Sequence, residues 1–262
     1  MKVDTLLQRI GFEGTPEPPW EPTAKALREL HLAWLIAVPF EDLDIHLGRE
    51  ILLDEAALHD KIVGERRGGF CYELNGLFAA LLRELGFKVT LLSARVFKPG
   101  GQLTPEFDHL TLLVEQEERW LVDVGFGDCF REPLRLDTAD VQSDGFREFR
   151  IEPEPDDAFV LWQRKPEEDW ERQYQWTLAP RQLVEFTDRC RFQQYSPDSH
   201  FVHRRMCTRA TPTGRVSLVD GALIVTDGAE RTQRLLSGRS AQQTMLREQF
   251  GIELDELPES FR

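Results

Sequence analysis

Apolar residues along this chain keep two different rhythms, and the change comes near residue 87. Leu74, Leu77, Phe78, Leu81, Leu82 and Leu85 recur at three- and four-residue steps, so they form one stripe of an amphipathic helix. Gly86 stands where glycine commonly ends a helix. Upstream, Val3 to Ile10 reads as a short amphipathic helix stopped by Gly11. Pro16, Pro18, Pro19 and Pro22 then exclude regular structure locally. Thr23 can cap a second helix with Ala26, Leu27, Leu30, Trp34 and Leu35 on its apolar side, stopped by Pro39. Val38 to His46 reads as a loop or extended segment, and Asp54 can cap a third helix over Glu55 to Val63.

Beyond Phe87 the pattern becomes that of strands. Lys88 to Phe97, Phe107 to Val114 and Trp120 to Val124 are β-rich runs, with Pro99-Gly100-Gly101 as a turn between the first two. Further short strands are expected at Phe146 to Ile151, Ala158 to Gln163 and Glu171 to Thr177, which together predict an antiparallel sheet or small barrel over about residues 87–178. Leu183 to Phe192 can be helical. Val216 to Val225 reads as a hairpin around Asp220-Gly221, and Ser240 with Gln243 makes a capping box for a last helix through Phe250, ended by Gly251. The expected class is α+β: residues 1–86 a helical domain, 87–190 a β-barrel domain and 191–262 a last mixed segment.

Composition changes this picture little. The 262 residues are 41% hydrophobic and 30% charged, as in ordinary globular proteins. The net charge of −14 argues against general nucleic-acid binding, which needs a basic face. No apolar run reaches the roughly 20 residues that span a bilayer, and the start of the chain lacks the basic and apolar regions of a secretory signal, so a cytoplasmic location without membrane partners is expected. Cys71, Cys129, Cys190 and Cys207 show neither zinc-site nor disulfide spacing. Cys190 and Cys207 with His200 and His203 read as unrelated residues, and no metal is assigned.

Cys71 follows Gly68-Gly69-Phe70 and falls at the start of the striped helix. Unpaired N–H groups and the helix dipole favour negative charge there, which predicts a lowered thiol pKa. The two glycines permit a tight or left-handed backbone that a Cβ would obstruct. A cysteine nucleophile wants a base, and the base an orienting acid. Side chains alternate along a strand, so His109, Thr111 and Leu113 share one face of the first hairpin strand, and Leu121 and Asp123 one face of the second. An even-length turn would pair odd positions with even ones. An odd-length turn, such as a three-residue loop, brings His109 and Asp123 together and makes the other face uniformly apolar, from Leu110, Leu112 and Val114 to Trp120, Val122 and Val124. Burial of that face selects the odd register. Each residue also has a plainer reading: Cys71 as a small core side chain, His109 as a satisfied sheet histidine, and Asp123 as a strand-end residue bonding the Val124–Gly127 turn.

The run Arg67-Gly68-Gly69-Phe70-Cys71-Tyr72-Glu73-Leu74-Asn75-Gly76 resembles the nucleophile motif of the arylamine N-acetyltransferases. Val38-Pro39-Phe40-Glu41-Asp42-Leu43 is similar to a family segment that usually has Asn at the position of Asp42, and His109 and Asp123-Val124-Gly125-Phe126-Gly127 match the other triad members in order and context. The clear resemblance covers about residues 1–130, with a looser match at Ser196 to Phe201. It implies a helical bundle, a β-barrel and an α/β lid, with a papain-like arrangement of Cys71, His109 and Asp123. It implies ping-pong transfer of acetyl from acetyl-coenzyme A, a substrate and not a resident cofactor, to an aromatic amine or hydrazine. By the same resemblance Phe40, Val96, Phe126 and Phe201 line the aryl pocket, and Gly125 and Gly127 let pantetheine approach the backbone. Asp42 adds a possible charge near the cleft. The triad alone also fits an amide synthase that releases a polyketide chain, or a cysteine hydrolase; a binding module without activity fits least.

Overall fold

The computed structural model describes residues 2–12, 21–255 and 257; the proline run at 16, 18 and 19 lies outside them. Helices α1 (Val3–Arg9) and α2 (Ala24–Ala37) form where the apolar stripes predict them, and the Thr23 hydroxyl accepts the Ala26 N–H at 3.2 Å as the cap of α2. After Pro39 the chain does not stay irregular: β1 (Phe40–Glu41) leads straight into the short helix α3 (Leu43–Leu47). Asp54 caps α4 (Glu55–His59) by accepting from Ala56 N and Ala57 N, both at 3.1 Å, and the helix continues as a wider turn to Gly64. Helix α5 (Cys71–Glu84) carries the long stripe, and Gly86 follows at φ 85°.

The middle of the chain builds β2 (Lys88–Val96), β3 (His109–Glu115), β4 (Arg119–Val122), β5 (Leu134–Arg135), β6 (Gln142–Ser143), β7 (Glu148–Glu154), β8 (Ala158–Arg164) and β9 (Glu171–Thr177). Among the described residues they form one eight-stranded antiparallel sheet in the order β5-β4-β3-β2-β9-β8-β7-β6. The Gln142 side chain bridges its two end strands, accepting from Arg135 N at 2.7 Å and donating to Arg135 O at 3.0 Å, so the sheet is a nearly closed barrel. The β3–β4 register pairs Leu112 with Val122 and Glu115 with Arg119 around the three-residue loop Gln116–Glu118. That is the odd register. Leu110, Leu112, Val114, Trp120, Val122 and Val124 pack into one core with α1, α2 and α5, while Leu113 and Leu121 belong to a second core inside the barrel.

A short 3-10 turn (Leu183–Phe186) precedes α6 (Thr187–Tyr195), where the sequence pattern predicts one helix from Leu183. The last part holds β10 (Met206–Thr211), β11 (Gly214–Val219), β12 (Ala222–Asp227) and β13 (Glu230–Leu235), then α7 (Gly238–Met245). The β11–β12 hairpin turns at Asp220 (φ 49°) and Gly221 (φ 79°), as its sequence demands. The capping box at Ser240 is a correction: Ser240 lies inside α7, whose cap position is Ser237 without a side-chain bond, because the same Ser-x-x-Gln spacing also occurs within helices. β1 is the edge strand of this five-stranded sheet, pairing Phe40 with Thr208 and Glu41 with Cys207. No helix among the described residues is long and apolar enough to cross a membrane.

Candidate active site

Cys71 is the first residue of α5. The Glu73 carboxylate reaches back to accept the Phe70 N–H at 3.0 Å, which fixes the helix start. The glycines before it leave no room for a Cβ, as expected, but without the left-handed backbone. Neither has positive φ; the left-handed residue here is Arg66, at φ 53°. They are required for close approach: a Cβ on Gly68 would lie 1.9 Å from Pro39 O, and one on Gly69 2.6 Å from Glu73 Oε2. Gly68 N and Leu43 N donate to Glu41, whose carboxylate is clasped by the Arg67 guanidinium at 2.9 and 3.0 Å. Arg67 also meets Asp44 at 2.9 Å, and Lys61 bridges Asp44 and Glu73, both at 2.7 Å. This buried network of three acids and two bases seats the loop before Cys71. Arg9 adds to it from α1, donating to the Arg66 and Arg67 carbonyls, both at 3.3 Å.

On the other side of the helix start stand His109 and Asp123, 3% and 2% exposed, with His109 Nε2 2.6 Å from Asp123 Oδ2. The second oxygen, Asp123 Oδ1, accepts from Gly125 N and Asn75 Nδ2, both at 2.9 Å. Asn75, one helical turn after Cys71, also donates to Leu110 O at 2.6 Å and accepts Val124 N at 2.9 Å. One amide thus ties the cysteine helix to the histidine strand and the aspartate turn. Its i+4 spacing from Cys71 was the signal available in the sequence. His31 supports the same turn from behind, its Nε2 3.1 Å from the Asp123 carbonyl and its Nδ1 3.0 Å from that of Arg131. Sequence reading passed over both, and over the Glu41–Arg67 pair.

Electrostatics corrects a second expectation. Burial pushes the Cys71 thiol well above its ordinary value; the Leu110 N–H acts the other way, and the Asp108 and Asp123 carboxylates add to the rise. Desolvation is the largest influence on the thiol at this depth. Burial also works to raise Asp123, but His109, Asn75 and the Gly125 N–H overcome it and hold the carboxyl below its usual range. Asp42, a possible charge near the cleft by sequence, is buried outright. Burial raises its pKa well above the ordinary carboxyl value, and its Oδ1 accepts Met206 N at 2.8 Å. Glu73 is pushed up to about 7 by burial, against the pull of Lys61.

Cys71 and His109 open into one cavity of about 330 Å³, whose walls include Phe40, Val96, Gly125, Phe126, Phe201 and Met206. The Phe126 ring stands edge-on to the His109 imidazole at 5.1 Å, with Tyr174 at the same distance on another side. Phe201 packs on Phe70 at 5.6 Å and faces Phe40 at 6.3 Å. Gly125 touches the cysteine directly, since a Cβ there would lie 2.8 Å from Cys71 Cα. Gly127 is not on the cavity wall; at φ 92° it lets the chain turn against the Phe40 ring. Cys190 and Cys207 belong to separate cores.

An N-acetyltransferase family model matches residues 23–258. The arylamine N-acetyltransferase / N-hydroxyarylamine O-acetyltransferase of Salmonella typhimurium is 35% identical, over 94% of this chain and 88% of that protein. The solved arylamine N-acetyltransferase of the same organism superposes with a TM-score of 0.88 at 34% identity, covering 99% of this chain and 94% of that one. The Mycobacterium marinum arylamine N-acetyltransferase in complex with CoA gives a TM-score of 0.86 at 32% identity, covering 96% and 93%. With likeness of this depth running through helices, barrel and last sheet alike, the chain belongs to the arylamine N-acetyltransferase family of acyltransferases.

Proposed function

We propose that this chain moves an acetyl group from acetyl-coenzyme A to an aromatic amine or hydrazine in two half-reactions through Cys71. The carrying observation is that the thiol and the His109 imidazole share one apolar cavity while Asp123 occupies the far ring nitrogen at 2.6 Å. With Nε2 committed to Asp123, Nδ1 is left for Cys71. The imidazole takes the thiol proton, the sulfur adds to the acetyl carbonyl, and the coenzyme A sulfur leaves with that proton, so a thioester is exchanged for a thioester. The amine then adds to acetyl-Cys71, His109 removes its proton, and the cysteine sulfur departs as the amide forms. Because burial disfavours a lone thiolate here, the proton moves only as the pair acts together.

The walls support a flat acceptor. Phe40, Phe126 and Phe201 offer ring faces, Val96 a methyl surface, and Gly125 room for the thioester arm beside Cys71. A cavity of about 330 Å³ suits a single-ring amine better than a macrocyclic chain. The lining draws on each of the three expected parts, through Phe40 and Cys71, through Val96 and Phe126, and through Phe201 and Met206. Incubation with acetyl-coenzyme A adds one acetyl group to the protein by intact mass, and Cys71→Ser abolishes the adduct. A folded wild-type protein that takes no acetyl group ends the proposal.

A further inference from the structure

Most of the wall of the Cys71 cavity is aromatic or aliphatic, and among the described residues the one carboxyl on it is Asp108. The backbone is strained to put it there. Phe107, a bulky residue, stands at φ 64°, in the left-handed region that side chains avoid. Its conformation is fixed from several sides. Ser93 Oγ accepts Phe107 N at 2.8 Å, and the Tyr72 hydroxyl donates to Phe107 O at 2.8 Å and to Asp108 O at 3.1 Å. Phe186 stands edge-on to the Phe107 ring at 5.2 Å. A costly backbone conformation enforced by its surroundings points to a position with a task. We propose that Asp108 anchors the acceptor, its Oδ2 taking a hydrogen bond from an N–H that the aromatic amine carries besides its reacting nitrogen. The site thereby selects ring amines with a neutral N–H donor such as a carboxamide; this rests on the acyltransfer reading above.

Three further observations carry the assignment. First, the two carboxylate oxygens are used unequally. Oδ1 accepts from Arg189 Nε and Gln193 Nε2, both at 2.7 Å, and from Arg189 Nη2 as well, whereas Oδ2 has no hydrogen-bond partner among the described residues. A carboxylate accepts at both oxygens, and this side chain is only 7% exposed, so its bare oxygen has little water to turn to. Second, the clamp is rigid. Arg189 and Gln193 lie one turn apart on α6, and Arg189 lies over the Phe192 ring at 4.0 Å. Gln193 is buried, and its Oε1 accepts the Ser199 hydroxyl at 2.6 Å, which leaves its amide nitrogen for Asp108. With Oδ1 clamped to α6, Oδ2 is the oxygen left for the cavity. Third, charge alone does not set the preference. Arg189 touches the carboxylate, and Lys98 shares the cavity wall. Beside those cations Asp108 serves as a directional acceptor and not as a trap for positive charge, and an amine without a second donor leaves it unpaired.

The test compares acceptors that differ in one donor. Aminobenzamide has a carboxamide nitrogen where methyl aminobenzoate has a methoxy group; both are neutral, and both draw electrons from the reacting nitrogen to a similar degree. With acetyl-coenzyme A as donor, the wild-type protein favours the amide over the ester in kcat/KM by about tenfold or more in the meta or the para series, the size expected for a hydrogen bond to a charged group. In Asp108→Asn the clamped oxygen is kept and the free one becomes an amide nitrogen, so that preference falls by about tenfold. A merely structural role would lower both acceptors alike and leave the ratio where it was. A wild-type ratio near one in both series overturns the anchor assignment whether or not the variant folds, and so does an unchanged ratio in a folded Asp108→Asn. Either result leaves the acyltransfer reading standing, because both acceptors are still acetylated. If Cys71 takes no acetyl group and neither acceptor is turned over, the acyltransfer reading fails and the anchor falls with it.

Discussion

Two buried polar clusters flank the start of α5, and they are built on opposite plans. Behind Cys71, Glu41, Asp44 and Glu73 are cross-linked by Arg67 and Lys61 through contacts of 2.7–3.0 Å. In front, a single carboxylate meets a single imidazole, and the remaining bonds come from the neutral Asn75 amide and the Gly125 N–H. The rear cluster raises both Lys61 and Arg67, their acidic neighbours overcoming the burial that would lower them, so those cations keep their protons at any ordinary pH. Among the described residues, the front one leaves an imidazole nitrogen unclaimed. A network in which each charged side chain meets an opposite charge holds backbone in place, whereas an incomplete one can pass a proton on.

The contrast is broken most severely from the front. Asp123→Asn keeps the shape of the site but removes the charge that orients His109. Steady-state acetyl transfer to an aromatic amine falls by about 10³-fold or more while the thermal midpoint moves little. Turnover within tenfold of wild type would mean that the front cluster is scaffolding too. From the rear, Arg67→Met strands Glu41 beside Asp44, and chemical denaturation shows a loss of about 3 kcal/mol. Unaltered stability would show that the network holds nothing.

A finer probe uses pH. Glu73 has a folded pKa of about 7, above its unfolded value, so the stability linked to it is complete below the unfolded pKa and is lost as pH rises towards 7. Glu73→Gln keeps an acceptor for Phe70 N–H and removes this slope, at most about 1.4 kcal/mol per unit between roughly pH 5 and 7. Parallel pH curves for the two proteins would refute it. The smallest effect lies outside both clusters. Asp42→Asn preserves the bond to Met206 N and removes a carboxyl whose folded pKa burial raises, so the wild type loses stability as pH rises and the variant is the more stable by about 1 kcal/mol at alkaline pH. Equal denaturation midpoints at pH 8.5 would count against it.

What the sequence discloses follows from how far a residue's partner lies along the chain. The α5 stripe is a local repeat, and the odd register of β3 and β4 follows from which face can be buried, so the helix and the His109–Asp123 face were both legible. β5 and β6 are two residues long and leave no period, and β13 is exposed along its whole length, so no apolar alternation marks it. Glu41 and Arg67 read as ordinary surface charges until folding buries them against each other. The helix-start argument for Cys71 failed on a quantity the sequence does not carry, the depth at which the thiol would sit.

The pairing of β1 with β10 has a consequence for the order of synthesis. Phe40 and Glu41, which lead to the Glu41–Arg67 clasp, bridge to Gly69 on one side but find their partners in the sheet at Thr208 and Cys207. A chain emerging from its amino end carries the cysteine helix and the histidine hairpin long before that partner exists. The nascent protein therefore holds Cys71 beside an unfinished edge, and the cleft wall contributed by Phe201 and Met206 closes late, long after the histidine hairpin has been made.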